Sequence, residues 1–433
     1  QDLRSPGGGD NLFLASIVAV KADTGEYVWH YQVCPAEQWD CTAVHDMTIA
    51  TLEFDGKPRK VLMQAPKNGF FYVLDAATGE FISAEKFDKV TWASKIDPKT
   101  GRPVENPGIR YQNNKELFEL WPGPQGAHSW LPQAFSPRTG LVYIPVIRIA
   151  ALIGPPSPDA PKFTAGMGVT MITDPDLPGS RTSFLRAWNP VTQKEAWAIE
   201  LPGAWPGGVL ATAGDLVFQG RMDGYLAAYN ASTGEQVWSH KTAAPIVAPP
   251  ISYSVDGRQY ISVLTGNSSQ GAGLFATANA PYRTDYALPR RLLTFAIDGD
   301  AEQPDVEIPE RVALVDPDFK PDPERVKAGG MAFAASGCLV CHGMNAIGGG
   351  AAPDLRYSPI ILNEAAFRAV VKDGVLKPRG MPPLPQLPDG TLEDIRHYLR
   401  MRAAQAPAEA AALRAGKPAP EGSTSRQPLS TGM

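Results

Sequence analysis

Up to about residue 300, apolar residues come in short β-prone runs, as in Leu141-Val-Tyr-Ile144, Leu216-Val-Phe218 and Gln259-Tyr-Ile-Ser-Val263. Gly, Pro, Thr and Asn separate the runs, so the pattern predicts an all-β fold of several sheets. An internal repeat orders them. Ala19-Val-Lys-Ala-Asp-Thr-Gly-Glu-Tyr-Val-Trp29 recurs as Ala228-Tyr-Asn-Ala-Ser-Thr-Gly-Glu-Gln-Val-Trp238 and, degraded, as Ala187-Trp-Asn-Pro-Val-Thr-Gln-Lys-Glu-Ala-Trp197. A fourth copy, Val73-Leu-Asp-Ala-Ala-Thr-Gly-Glu-Phe81, keeps the turn and lacks the tryptophan. Trp197 and Trp238 stand 41 residues apart, the period of one four-stranded propeller blade. In each unit an Asp or Asn acceptor closes the turn, a glycine takes positive φ, and a tryptophan is large enough to dock one sheet on the next. Four or five blades can be counted over residues 1–298. A closed ring built on this motif needs more, so the propeller is expected to be incomplete at its N-terminal side.

The pattern changes after Asp298. Residues 299–323 are acidic and rich in proline, and predict an extended linker strapped over a domain surface. A small helical domain is expected over 324–406, with helices at Glu324–Ala335 and Thr391–Met401. In the second, Thr391 and Asp394 resemble a capping box, and Leu392, Ile395, Tyr398 and Leu399 form the apolar stripe. From Pro407 to Met433 the chain is Ala-, Pro-, Gly- and Ser-rich and is expected to be a flexible tail.

Composition narrows the functional classes. The 433 residues are 43% hydrophobic, enough for substantial cores, and carry a net charge of -5 with a pI near 5.8. That charge leaves no basic footprint for nucleic acid or an anionic membrane surface. No run approaches the ~18 apolar residues of a membrane helix.

The densest chemistry lies in Gly337-Cys338-Leu339-Val340-Cys341-His342. Two cysteines spaced by two residues and followed by histidine form the attachment signature of a c-type haem, with both thiols adding to vinyl groups and His342 ligating iron. Met381 follows 39 residues after His342, on the proline-stiffened loop Arg379-Gly-Met-Pro-Pro383, and is the candidate sixth ligand. Covalent haem implies export and a periplasmic setting. There Cys34 and Cys41 are expected to form a disulfide, with unpaired core thiols as the alternative.

Taken together, Gly9-Asp-Asn-Leu12, the Thr-Gly-Glu...Trp repeats, Gln64-Ala-Pro-Lys-Asn-Gly-Phe-Phe-Tyr-Val-Leu-Asp75, Trp205-Pro-Gly-Gly-Val-Leu-Ala-Thr212 and the haem motif resemble the C-terminal part of a quinohaemoprotein alcohol dehydrogenase. In that family an eight-bladed propeller holds pyrroloquinoline quinone (PQQ) and is fused to a cytochrome c domain. The resemblance runs from about residue 3 to 405. It implies that Asp10, read from its own surroundings as a turn former, is the base that takes the substrate hydroxyl proton as hydride passes to the quinone. It also makes Asp10 a candidate calcium ligand. Leu12, where lanthanide-dependent members carry a second carboxylate, implies Ca²⁺. Lys67 matches the cation at the quinone oxygens. Ser129 and Trp130 match a cofactor-contacting pair, although the family often has asparagine before the tryptophan. Trp205, Gly207 and Gly208 match a cofactor-lining stretch, with blade docking as the second reading of Trp205. Two further departures are Trp39-Asp40-Cys41, where Trp-Asp-Tyr is common, and Gly266-Asn267-Ser-Ser-Gln270, which lacks a tryptophan often found late in the propeller.

The implied activity is oxidation of alcohols, or aldehydes, with electrons passing from PQQ to the chain's own haem and on to a soluble copper protein or cytochrome. The family's calcium-binding Glu and Asn and its quinone-stacking tryptophan would have to come from an N-terminal segment or companion chain. A rival reading makes the propeller a non-catalytic docking module and the haem domain an electron relay. Loops Ile149–Pro156 and Gly273–Ala276 are apolar enough for varied substrates.

Overall fold

The computed structural model describes residues 7–110, 114, 116–155, 170–173, 177–242, 244–266, 290–304, 312–348 and 352–414. They form two compact units, one holding the sheets up to Gln303 and one from Pro304 holding the helices. The Gly273–Ala276 loop and positions 267–270 lie outside the described residues.

In the first unit, three antiparallel sheets have four strands each. They are β3 (Thr48–Phe54), β4 (Lys57–Gln64), β5 (Phe70–Asp75) and β6 (Phe81–Lys86); β10 (Ala134–Ser136), β11 (Leu141–Arg148), β14 (Thr182–Asn189) and β15 (Lys194–Leu201); and β16 (Val209–Ala211), β17 (Leu216–Gly220), β18 (Tyr225–Asn230) and β19 (Gln236–Lys241). Two partial sheets accompany them, β1 (Ser16–Val20) with β2 (Tyr27–Gln32), and β20 (Ile251–Val255), β21 (Arg258–Leu264) and β22 (Leu292–Phe295). The pair β7 (Ala93–Ile96) and β8 (Pro103–Glu105), and the trio β9 (Phe118–Leu120), β12 (Ala151–Gly154) and β13 (Thr170–Thr173), are additions between them. Among the described residues, three of these sheets have four strands and two are partial.

Inner strands are buried on both faces, and period-2 alternation divides them between adjacent cores. Phe70, Tyr72 and Leu74 of β5 enter one core, while Phe71 and Val73 enter the next. On β11, Val142, Ile144 and Val146 share the core of Phe71 and Val73, and Leu141 and Tyr143 face Val217 and Tyr229. Each core is thus a layer between sheets.

The repeated turn works as its letters require. Asp75 Oδ1 accepts from the amides of Ala77 and Thr78, and Asn230 Oδ1 from those of Ser232 and Thr233. The glycine has two roles. At Gly79 φ is 73°, and an added Cβ would lie 2.5 Å from Cε3 of Trp29, the tryptophan of the preceding repeat. Trp197 meets Gly234 in the same way and donates Nε1–H to the Ala231 carbonyl at 3.1 Å. A Gly79→Ala change is therefore expected to cost about 2–4 kcal/mol, combining left-handed strain with overpacking. Gly25→Ala, at φ 72° with open space around it, should cost only the backbone share of about 1–2 kcal/mol. Urea unfolding of the two variants measures the difference.

The second unit contains α1 (Pro323–Ala335), the single-turn α2 (Cys338–His342), α3 (Glu364–Val371) and α4 (Asp389–Arg414). Asp322 caps α1, accepting from the Glu324 amide at 2.9 Å. At the α1–α4 crossing, a Cβ on Gly329 would fall 1.9 Å from the Asp394 carbonyl oxygen, so only glycine permits this approach. Residues 312–322 of the linker lie along α4. Phe319 packs edge-on against His397 at 4.8 Å and beneath the Arg400 guanidinium at 4.3 Å.

The expected flexible tail needs correction over 407–414. Helix α4 continues through Pro407 to Arg414, because Ala406 is buried and Glu409 is drawn into the unit by two buried arginines. Residues 415–433 lie outside the described residues.

Candidate functional site

The segment between β2 and β3 carries Trp39-Asp40-Cys41. Its backbone is tied down by Asn68 Nδ2, which donates to the Val33 carbonyl at 3.0 Å, and by Arg110, which donates to the Ala36 carbonyl at 2.6 Å. Trp39 donates Nε1–H to the Ile109 carbonyl at 3.2 Å and packs on Trp92. Within this frame Asp40 takes a left-handed φ of 63°, an uncommon conformation for a residue with a Cβ. Its carboxylate meets Lys67 Nζ at 2.9 Å. Lys67 extends from the tight Pro66-Lys67-Asn68-Gly69 turn, with its stem pressed against Gly126, where a Cβ would come within 2.4 Å of Lys67 Cγ. Trp39, Asp40, Cys41, Lys67, Asn68 and Trp92 line a small recess. The Lys67 side chain is 15% exposed and that of Asp40 44%, so the ion pair has one open side.

Asp10 lies elsewhere. Its carboxylate pairs with Arg102 at 2.9 Å, both side chains well exposed, and its carbonyl accepts from the Ala36 amide and from Gln32. The carboxylate at Lys67 is Asp40, which in the sequence stands out only as part of a departure from the family pattern.

Ser129 is buried and Trp130 is 42% exposed, so adjacent residues face opposite environments. Trp205 is buried. The close backbone approach expected at Gly207 and Gly208 exists, but to this chain's own residues. A Cβ on Gly207 would meet the Gly220 carbonyl oxygen at 2.6 Å, and one on Gly208 would meet Pro132 Cδ at 2.7 Å. Cys34 and Cys41 also depart from expectation. Both are free, buried thiols, close enough that Cys41, after burial, raises the Cys34 pKa.

His45 lies behind this region, its ring 5.3 Å from that of His128. Burial, then the nearby charges of His128 and Lys67, push its pKa down to about 2. The unfolded chain takes up a proton near pH 6.5 that the folded chain refuses, so stability falls as pH drops below that point. A loss of roughly 1.5–2 kcal/mol between pH 6.5 and 5 is expected from this group. Urea midpoints should show it, and His45→Gln should remove that part of the slope.

In the helical unit, Gly337 at φ 77° turns the chain out of α1 into Cys338-Leu-Val-Cys-His342. Cys338 is partly buried in the helical core, and burial pushes its pKa up to about 11. Cys341 is exposed. His342 is buried, and its Nδ1–H donates to the Pro353 carbonyl at 2.9 Å, which leaves the Nε2 lone pair for a metal. Met381 follows Gly380, at φ 91°, and packs in the same core as Cys338. Two thiols, an oriented imidazole and a thioether fit a covalently bound haem. Among the described residues, no group of three or more His, Cys, Asp or Glu is placed to hold a metal ion.

A PQQ-type propeller and a c-type cytochrome unit define the class. The family described as glucose/ethanol/alcohol dehydrogenase, beta-propeller domain, matches residues 4–95 and 183–261, and that of the cbb3-type cytochrome c oxidase subunit III matches 324–399. The chain is 45% identical over 408 residues to quinohemoprotein alcohol dehydrogenase ADH IIB of Pseudomonas putida, covering 93% of this chain and 58% of that protein. Among solved structures, ADHIIG of Pseudomonas putida HK5 matches with a TM-score of 0.84 at 38% identity, over 96% of this chain and 62% of that one. The quinohemoprotein alcohol dehydrogenase of Comamonas testosteroni matches with a TM-score of 0.79 at 39% identity, over 93% and 59%. Over nearly its whole length the chain is homologous to quinohaemoprotein alcohol dehydrogenases, and it spans about six-tenths of the length of these relatives.

Proposed function

We propose that the chain carries the proton-accepting side of an alcohol-oxidising site and the haem through which the electrons leave, in a periplasmic quinohaemoprotein dehydrogenase. The observation that carries this reading is the Asp40–Lys67 pair at 2.9 Å, set in a recess with one open side. Asp40, in place of Asp10, is the proposed base. An alcohol entering from the open side donates its O–H to Asp40, and the carboxylate accepts the proton as charge leaves the carbinol carbon. Lys67 holds the other side of the carboxylate, and its ammonium is available to negative charge on a group in the recess. When bound, PQQ supplies a two-electron acceptor and the haem a one-electron exit. Trp39 and Trp92 give the recess apolar walls that limit water.

Calcium enters as a property of the family. With Asp40 as base, Thr42 stands two residues on, so the second carboxylate associated with lanthanide is again missing. The remaining ligands would come from an N-terminal segment or companion chain, as would the rest of the quinone site. A soluble copper protein or cytochrome is the proposed acceptor, and alcohols, or aldehydes, are the proposed substrates.

The test is alcohol-driven reduction of the haem, followed at its α-band, in protein completed with the N-terminal segment, PQQ and Ca²⁺. Reduction on adding alcohol is expected. A haem that reduces only with an external donor would overturn this reading in favour of an electron relay.

A further inference from the structure

Four charged side chains are buried together beside the haem-attachment turn. Arg356, Asp354, Glu409 and Arg402 are each between 1% and 4% exposed. Arg356 holds Asp354 through Nε at 2.9 Å and Nη2 at 2.6 Å, and reaches Glu409 Oε2 through Nη1. The other oxygen of Glu409 meets Arg402 Nη2 at 2.9 Å. Arg402 in turn donates Nε–H to the Asn345 carbonyl at 3.0 Å, three residues after His342. On the opposite side, Asp354 directly follows Pro353, whose carbonyl orients His342. The contacts thus form a closed circuit, from Asn345 through Arg402, Glu409, Arg356 and Asp354 back to His342. Two cations are balanced by two anions. Arg356 is hydrogen-bonded to both of its carboxylates, whereas Glu409 and Arg402 are held to each other by charge; removing one member leaves a buried charge uncompensated.

Resting on the haem reading above, we propose that Glu409 is a positioning residue for the haem. From the two turns of α4 beyond Pro407 it locks Arg356 and Arg402 onto the two segments that follow His342, at Asn345 and at Pro353–Asp354, and its charge helps to set the reduction potential. Removing that charge leaves two guanidiniums against one carboxylate, and the uncompensated positive charge disfavours the oxidised iron.

The test uses the full chain matured with covalent haem. Glu409→Gln is expected to retain the haem and move its midpoint potential to a more positive value, with a change in the absorption band that reports the axial ligands. The double variant Glu409→Gln with Arg402→Gln restores the charge balance and should bring the potential back toward the parent. If Glu409→Gln does not accumulate, Glu409→Asp retains the charge with a shorter reach and should alter the axial-ligand band. An unchanged potential and band in Glu409→Gln, or an unchanged band in Glu409→Asp, overturns the proposal even if melting temperature falls. A parent chain without covalent haem would instead overturn the haem reading itself.

Discussion

Asp40→Asn is expected to lower alcohol-driven haem reduction by about 10²–10⁴-fold, the range for loss of a positioned general base. Asn keeps the size of the side chain and an oxygen that can accept from Lys67, but it has no basic site for the alcohol proton. The fold should be indifferent to the change. The pair is partly exposed, and such pairs contribute about 0–1 kcal/mol. Haem content, the dithionite-reduced spectrum and the unfolding midpoint should therefore match the parent while substrate-driven reduction collapses. Asp10→Asn is the control, because its carboxylate is engaged with Arg102 and not with Lys67. Its rate should stay close to the parent. Equal losses in the two variants, or a loss in Asp10→Asn alone, would remove Asp40 from the proposed role.

The contrast between these aspartates shows where sequence was informative. The blade turns were legible because their chemistry is local, with acceptor, amides and glycine all within five residues. Even so, one copy is masked in the sequence. Asp97-Pro-Lys-Thr-Gly101 makes the same turn, with Asp97 Oδ1 accepting from the Lys99 and Thr100 amides, but no tryptophan follows to advertise it. The degraded copy also had a cost visible only in the fold, since Gln193 occupies the glycine position at φ 55°. The proposed base is harder to read from sequence. Lys67 and Asp40 are 27 residues apart and meet only because the 33–46 segment folds over the β4–β5 turn. The family resemblance points to Asp10, whose own surroundings read only as a turn, whereas the signal in this sequence is Trp39-Asp40-Cys41.

Two other outcomes depended on tertiary contacts. The expected Cys34–Cys41 bridge rested on compartment and proximity in sequence, and the structure places the residues together as buried thiols. The end of α4 looked too poor in bulky residues to be ordered. Glu409 is what composition could not reveal, since its partners Arg356 and Arg402 are buried and its place is set by ion pairing.

Replacing both Cys338 and Cys341 by alanine is expected to abolish covalent haem altogether, the largest single effect predicted for this chain. Both thiols lie on one helical turn, Cys338 toward the helical core and Cys341 toward solvent, so each can add to a vinyl group while His342 stays oriented by Pro353. A single replacement leaves one thioether and is expected to retain part of the haem. The double replacement leaves none, and denatured protein should show neither the added mass nor the visible absorbance. The loss should extend to stability. A helical unit below ~100 residues has a marginal core. Here Cys338, Leu339 and Met381 remain only partly buried around that core. Without haem, the helical signal of α1 and α4 should melt at a lower temperature than in the parent, while the sheet unit, with separate cores, keeps its transition. Calorimetry with mass spectrometry distinguishes the cases. Haem that survives denaturation in the double variant would refute attachment at these cysteines, and an unchanged helical melt would show that the unit is complete without its prosthetic group.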